Sequence, residues 1–187
     1  MIEFESPSKV AFSLIKATAL DEAGHHGEGP PNWGMHRTLT AAVEGWEAEG
    51  TLIENSLLLV EWLAVELSAY LLTQLGDEEK VTRWLRDFGD QGCQTQQHSH
   101  PAGPTAIEIL SVVTADLDSQ LGPAVRLASI GGPYLAYLRD GREVDDAREL
   151  ALTLGSWAGS CVAQLMRGDS ARIAEYFEHK LAGGAQR

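Results

Sequence analysis

Residues 21–36, DEAGHHGEGPPNWGMH, bring His25, His26 and His36 together with Asp21, Glu22 and Glu28. Imidazole and carboxylate are the ligand types of zinc, iron and nickel centres. Glycine lets a chain wrap closely around an ion, and a bound ion offsets the entropy of ordering the loop. The stretch is thus a candidate site for a divalent transition metal, with His25, His26, His36 and Glu22 as ligands. Glu22 and His25 also carry the Glu-x-x-His spacing of di-iron helical bundles, which puts both groups on one helix face. Such a centre needs a second copy of the motif, and the sequence holds none. The glycines and prolines around His25 also favour a loop, whose polar residues would simply face water.

Cys93, His98 and His100 form a second group. Its spacing matches neither Cys-x2-4-Cys nor His-x3-5-His, and one thiolate cannot close a tetrahedral site. It would have to share a centre with the first histidine loop.

Glu61 lies between Val60 and Trp62 in the most apolar stretch of the chain. A buried carboxylate there would be a candidate general acid or base. Glu44-Gly-Trp-Glu47, followed by Glu54 and Glu61, resembles over two helices the acidic Mg²⁺ sites of all-α nucleotide pyrophosphatases. Their later Glu-x-x-Asp occurs here only at Glu143 to Asp146, far downstream, and the resemblance ends there.

Gly155 and Gly159 stand four apart in a run of small residues. Glycine in a helix costs about 1 kcal/mol relative to alanine, so close packing against another backbone is the natural compensation. The same face is a candidate for self-association into a homo-oligomer. Ser156 is not in Gly-x-Ser-x-Gly, and no Walker loop or dinucleotide fingerprint is present.

The elements that must position these residues read as helices throughout. Ser6-Pro7 opens a helix with an apolar stripe to about Leu20, and Gly24 stops it. Leu39, Ala42, Val43 and Trp46 mark a second helix over about 35–49. The third, 52–75, is apolar on nearly every side and should be central. Gly76 ends it and Asp77 caps the fourth, which Gly89 and Gly92 weaken. Residues 91–104 read as a loop, and Thr105 to Glu108 as a capping box. Short helices are expected near 124–130 and 133–139, divided by Gly131-Gly132-Pro133. A long helix at about 143–167 and a last one carrying Ile173, Phe177 and Leu181 complete the chain. VRLASI is the nearest approach to a strand.

The expected architecture is all-α: about eight helices in one domain over 1–187, around helix 52–75, with flexible loops near 24–34 and 91–104. A chain of 187 residues can bury roughly 70% of its unfolded surface, so no disulfide or metal is needed for stability. The two cysteines fit a reducing compartment. The start of the chain lacks the basic, apolar pattern of a signal peptide, and the glutamates within 52–75 argue against a membrane helix. The cytoplasm is the expected location.

The net charge of −13 argues against nucleic-acid binding and against docking on anionic membranes. It suits solubility, or a basic protein partner. The expected function is that of a small acidic binding or regulatory protein acting through protein–protein contact. The alternative is a metal-binding protein or metal-dependent enzyme using the loop 21–36.

Overall fold

Pro7 takes the first helical position of α1 (Pro7–Glu22), where its missing N–H costs nothing. Ser6 sits at the N-cap, but its hydroxyl bonds Ser8 rather than a backbone amide. The computed structural model describes residues 6–24, 33–95, 102–117 and 122–183, with backbone alone for 90–95. All regular structure in them is helical. After α1 come α2 (Trp33–Glu49), α3 (Leu52–Leu75), α4 (Glu78–Thr95), α5 (Ala102–Leu117), α6 (Pro123–Tyr137), α7 (Glu143–Leu165) and α8 (Ser170–Gly183).

The turns follow the local chemistry. Gly50, at φ +74°, lets the Thr51 amide reach back to the Trp46 carbonyl at 2.9 Å, and α3 starts at once. Gly76, at φ +92°, ends α3 as expected. Asp77 then caps α4 by accepting the Lys80 amide at 2.8 Å. Asp169 caps α8 through the amides of Ala171 and Arg172.

Contacts between helices fix their directions. Gly155 of α7 lies beside Leu14 of α1 and Leu63 of α3, and Gly159 beside Thr18. Gln164 meets Gln74. Helices α1, α3 and α7 therefore run parallel and form the centre, with Leu14, Ile15, Leu59, Leu63, Leu67, Leu150 and Leu154 buried between them. Helix α6 runs the other way, since Tyr134 meets Ser56 and Arg126 meets Glu61. Helix α8 also opposes α3, pairing Tyr176 with Tyr70 and Lys180 with Glu66. Helix α3 is long and apolar enough by composition to cross a membrane, yet most of it is buried inside the bundle.

The expectation of an all-α bundle around 52–75 holds, with three local corrections. Residues 91–95 continue α4, and α5 begins at Ala102, before the expected cap at Thr105. Residues 96–101 of the expected loop lie outside the described residues. Gly89 does not end α4. A Cβ there would lie 3.4 Å from Ile107 Cδ1, so the glycine admits α5 closely. The two short helices merge into α6, with Pro133 in its interior. Ile130 and Tyr134, both fully buried, anchor the helix on either side of Gly131-Gly132-Pro133. That anchoring outweighs the hydrogen bond lost at the proline. VRLASI lies wholly within α6.

Candidate functional site

Among the described residues, the buried carboxylates of α3 and α7 are paired with bases. Glu61 and Glu66, both on α3, have side chains only 8% and 10% exposed. Arg126 of α6 donates to Glu61 Oε1 at 3.1 Å. Lys180 of α8 donates to both oxygens of Glu66, at 3.1 and 3.2 Å, and Tyr70 donates to Glu66 at 2.8 Å. Burial and the neighbouring Glu66 charge push the Tyr70 phenol far above its ordinary value. Burial pulls the Lys180 ammonium down, but the bond to Glu66 outweighs it and the net shift is upward. Asp146, fully buried at the start of α7, accepts from the backbone amide and guanidinium of Arg139. That guanidinium holds its carboxyl below the usual carboxylate range. Three internal carboxylates are thus each neutralised by a base from another part of the chain. Glu61, a candidate acid or base from sequence, faces Arg126 rather than an open cleft. Glu44, Glu47 and Glu54 are exposed and do not converge on it.

Of the residues named as metal ligands, only Glu22 and His36 fall among the described residues. His25 and His26 lie outside the described residues, as do His98, His100 and the side chain of Cys93. Glu22, at the end of α1, accepts a hydrogen bond from Ser160 of α7. His36 is exposed in the first turn of α2. Gly34 packs near Ala17 of α1, so His36 sits below the level of Glu22 by roughly 10 Å of helical rise. Among the described residues no group of three or more His, Cys, Asp or Glu is placed to hold a metal ion.

Gly155 and Gly159 are buried within the chain. A Cβ on Gly159 would stand 2.4 Å from Thr18 Cβ and 3.0 Å from the Ala19 amide nitrogen. The expected self-association face is therefore occupied by α1 of the same chain, and that close approach is what Gly159 serves.

Sequence reasoning missed a groove above α3, between α4 and α7. Trp84 and Phe88 of α4 stack with ring centroids 4.9 Å apart and planes within 7°. Phe88 meets Trp157 of α7 edge to face at 5.1 Å. Beside this ring pair lies a cavity of about 250 Å³, lined also by Leu71, Leu75, Ser160 and Cys161. Burial, and then the nearby Glu22 charge, push the Cys161 thiol up to about 11. A thiol held protonated at neutral pH is a poor nucleophile, so Cys161 serves as lining. A second, more polar hollow of about 520 Å³ lies between α5 and α6, against Thr105, Glu108, Tyr137 and Arg139.

Among the described residues, fold and side chains together define an all-α bundle with paired internal carboxylates and an aromatic groove. Compared with known families, curated proteins and solved structures, the chain gives no match.

Proposed function

We propose that this chain is a binding or regulatory protein that engages a basic protein partner. The supporting observation is the uneven placement of its negative charge. The α2–α3 turn, the α6–α7 turn and the start of α7 lie at one end of the bundle, because Thr40 meets Arg148 and Tyr134 meets Ser56. Glu44, Glu47, Glu49 and Glu54 are exposed there, joined by Asp140 and Asp145. Lys9, Arg139, Arg142 and Arg148 only partly offset them, and two of these arginines are already paired with Asp146 and Asp145. Ile53, 40% exposed, sits among the glutamates and offers an apolar anchor. A face with an excess of negative charge speeds association with a basic partner and disfavours acidic ones.

The test is capture from extract of the source cell by three forms of the chain. One is wild type. One carries Glu47→Lys, Glu49→Lys and Glu54→Lys. The third carries Glu175→Lys and Glu178→Lys on the exposed side of α8. The expected result is a basic protein retained by wild type and by the α8 variant, lost from the end-face variant and eluted by moderate salt. An identical retained set for all three forms would refute the reading. Stoichiometric metal in untagged protein, lost in His25→Ala/His26→Ala, would instead support the metal-binding alternative.

A further inference from the structure

Helices α4 and α7 both pack on α3, but they meet each other through the Phe88–Trp157 ring pair rather than along their lengths. Next to that pair the space between them stays open. The residues α7 presents there, Ser160 and Cys161, are too small to fill it, while Trp84 opposite is held flat against Phe88. The walls are therefore stiff and the gap is not closed by side chains already present.

Size and charge narrow the ligand. The volume of about 250 Å³ exceeds that of a cavity that takes one benzene ring, about 150 Å³, and falls below ordinary drug-sized pockets, about 300–1,000 Å³. It suits one ring with a short substituent. Among the described residues, no side chain lining it carries a positive charge. The Glu22 carboxylate is tied to the lining, bonded to Ser160 and felt by the Cys161 thiol. Aromatic faces and a carboxylate both favour an ammonium group. Gln74 and Gln164, joined at 2.9 Å, add amide groups at the mouth.

We propose that this groove binds a small one-ring arylalkylamine, with its ring against Trp84 and Trp157 and its ammonium toward Ser160 and Glu22. The proposal is independent of the acidic end, which lies at the opposite end of α3.

Phenethylamine and its neutral analogue 2-phenylethanol are the probes, titrated into the full chain by calorimetry. Saturable one-to-one binding is expected, with the amine tighter by about fivefold, the scale of one partly exposed charge contact. Glu22→Gln, a surface change, should bring the two probes to within about twofold of each other. Ser160→Leu should fill the groove and abolish binding of both. A readout that needs no variant is alkylation of Cys161, which saturating phenethylamine should slow severalfold. No saturable binding by wild type up to millimolar probe would overturn the proposal. So would equal affinity for amine and alcohol, or a Cys161 alkylation rate that the amine leaves unchanged.

Discussion

Two glycines on one face of α7 should respond in opposite directions to the same substitution. At Gly159, a new methyl group would lie 2.4 Å from Thr18 Cβ, 2.6 Å from Thr18 Cγ2 and 3.0 Å from the Ala19 amide nitrogen. Favourable carbon–carbon contact begins near 3.5 Å, so α1 and α7 would have to part by about 1 Å. The obstacle is a β-carbon and a backbone atom, which no rotamer change can move. Thr18 is also tied down, donating to Met35 Sδ at 3.0 Å. Overpacking of this kind costs about 1–3 kcal/mol, and here the whole α1–α7 seam loosens with it. Against that stands a gain of about 1 kcal/mol from replacing a helical glycine by alanine. Gly159→Ala should therefore destabilise the chain, by up to about 2 kcal/mol.

At Gly155 the nearest atom to the new methyl is Leu14 Cβ at 3.5 Å, an ordinary contact. The propensity gain then goes unopposed, and Gly155→Ala should stabilise by up to about 1 kcal/mol. Urea unfolding followed by circular dichroism measures both. The expected result is a lower midpoint for Gly159→Ala and an unchanged or higher one for Gly155→Ala, at constant slope. Equal midpoints for the two variants would show that the α1–α7 crossing is not the close one described. A change in oligomeric mass without a change in midpoint would return these glycines to an intermolecular face.

Other expectations follow from the buried groups. Alkaline pH should unfold the chain: burial raises Cys161 from its usual 9.0 to about 11 and Tyr134 from 10.0 to about 12, and lifts Tyr70 and Tyr137 as well. The unfolded chain gives up these protons first, so their stabilising contribution is whole below about pH 9 and fades as pH climbs toward 12. Melting temperatures across that range would measure it, and a flat profile would contradict it. Arg126→Met should cost about 3 kcal/mol, because it strands Glu61, 8% exposed, without its cation. Arg83→Met, breaking the exposed pair with Glu79, should cost under about 0.5 kcal/mol; equal losses in chemical denaturation would argue against a buried Glu61. Gly131→Ala meets nothing within 4 Å and has no positive φ, so it should raise the denaturation midpoint, by about 1 kcal/mol of stability. A lowered midpoint would mean that α6 breaks there.

The helices were legible where apolar period and end signals agreed. Residues 52–75 are apolar around the whole circumference, with Thr51 before and Gly76 after, and α3 spans exactly that stretch in sequence and structure. The reading failed where a breaker residue had a tertiary reason to be there. Gly89 makes room for Ile107, and Pro133 is carried between two buried anchors, so both lie inside helices that local rules would end. The groove was not legible at all. Trp84 and Phe88 on α4, like Trp157 and Cys161 on α7, carry the spacing of ordinary core residues, which most of their surface is. That one side of each meets a gap depends on how far apart α4 and α7 stand on α3, a distance no periodicity encodes. The charge at its rim is equally non-local, since Glu22 reaches Ser160 across 138 positions of sequence.

The polar residues of α3 solve a problem that its apolar ones create. A helix greasy on all sides can be rotated or slid by a turn, about 5.4 Å, with little loss of hydrophobic burial. Here four of its neighbours are addressed separately. Ser56 takes the Tyr134 hydroxyl at 2.6 Å and Glu61 takes Arg126, both from α6. Ser68 takes Thr114 of α5 at 3.1 Å. Glu66 and Tyr70 take Lys180 and Tyr176 of α8, and Gln74 takes Gln164 of α7. A slip of one turn along any of these interfaces would leave a hydroxyl or a charge buried without its partner, at a cost of about 1–3 kcal/mol for the neutral groups and more for the ions. Replacing the ion pairs by matched apolar residues would then keep or raise stability while loosening register. That is the signature expected of carboxylates that order helices rather than move protons.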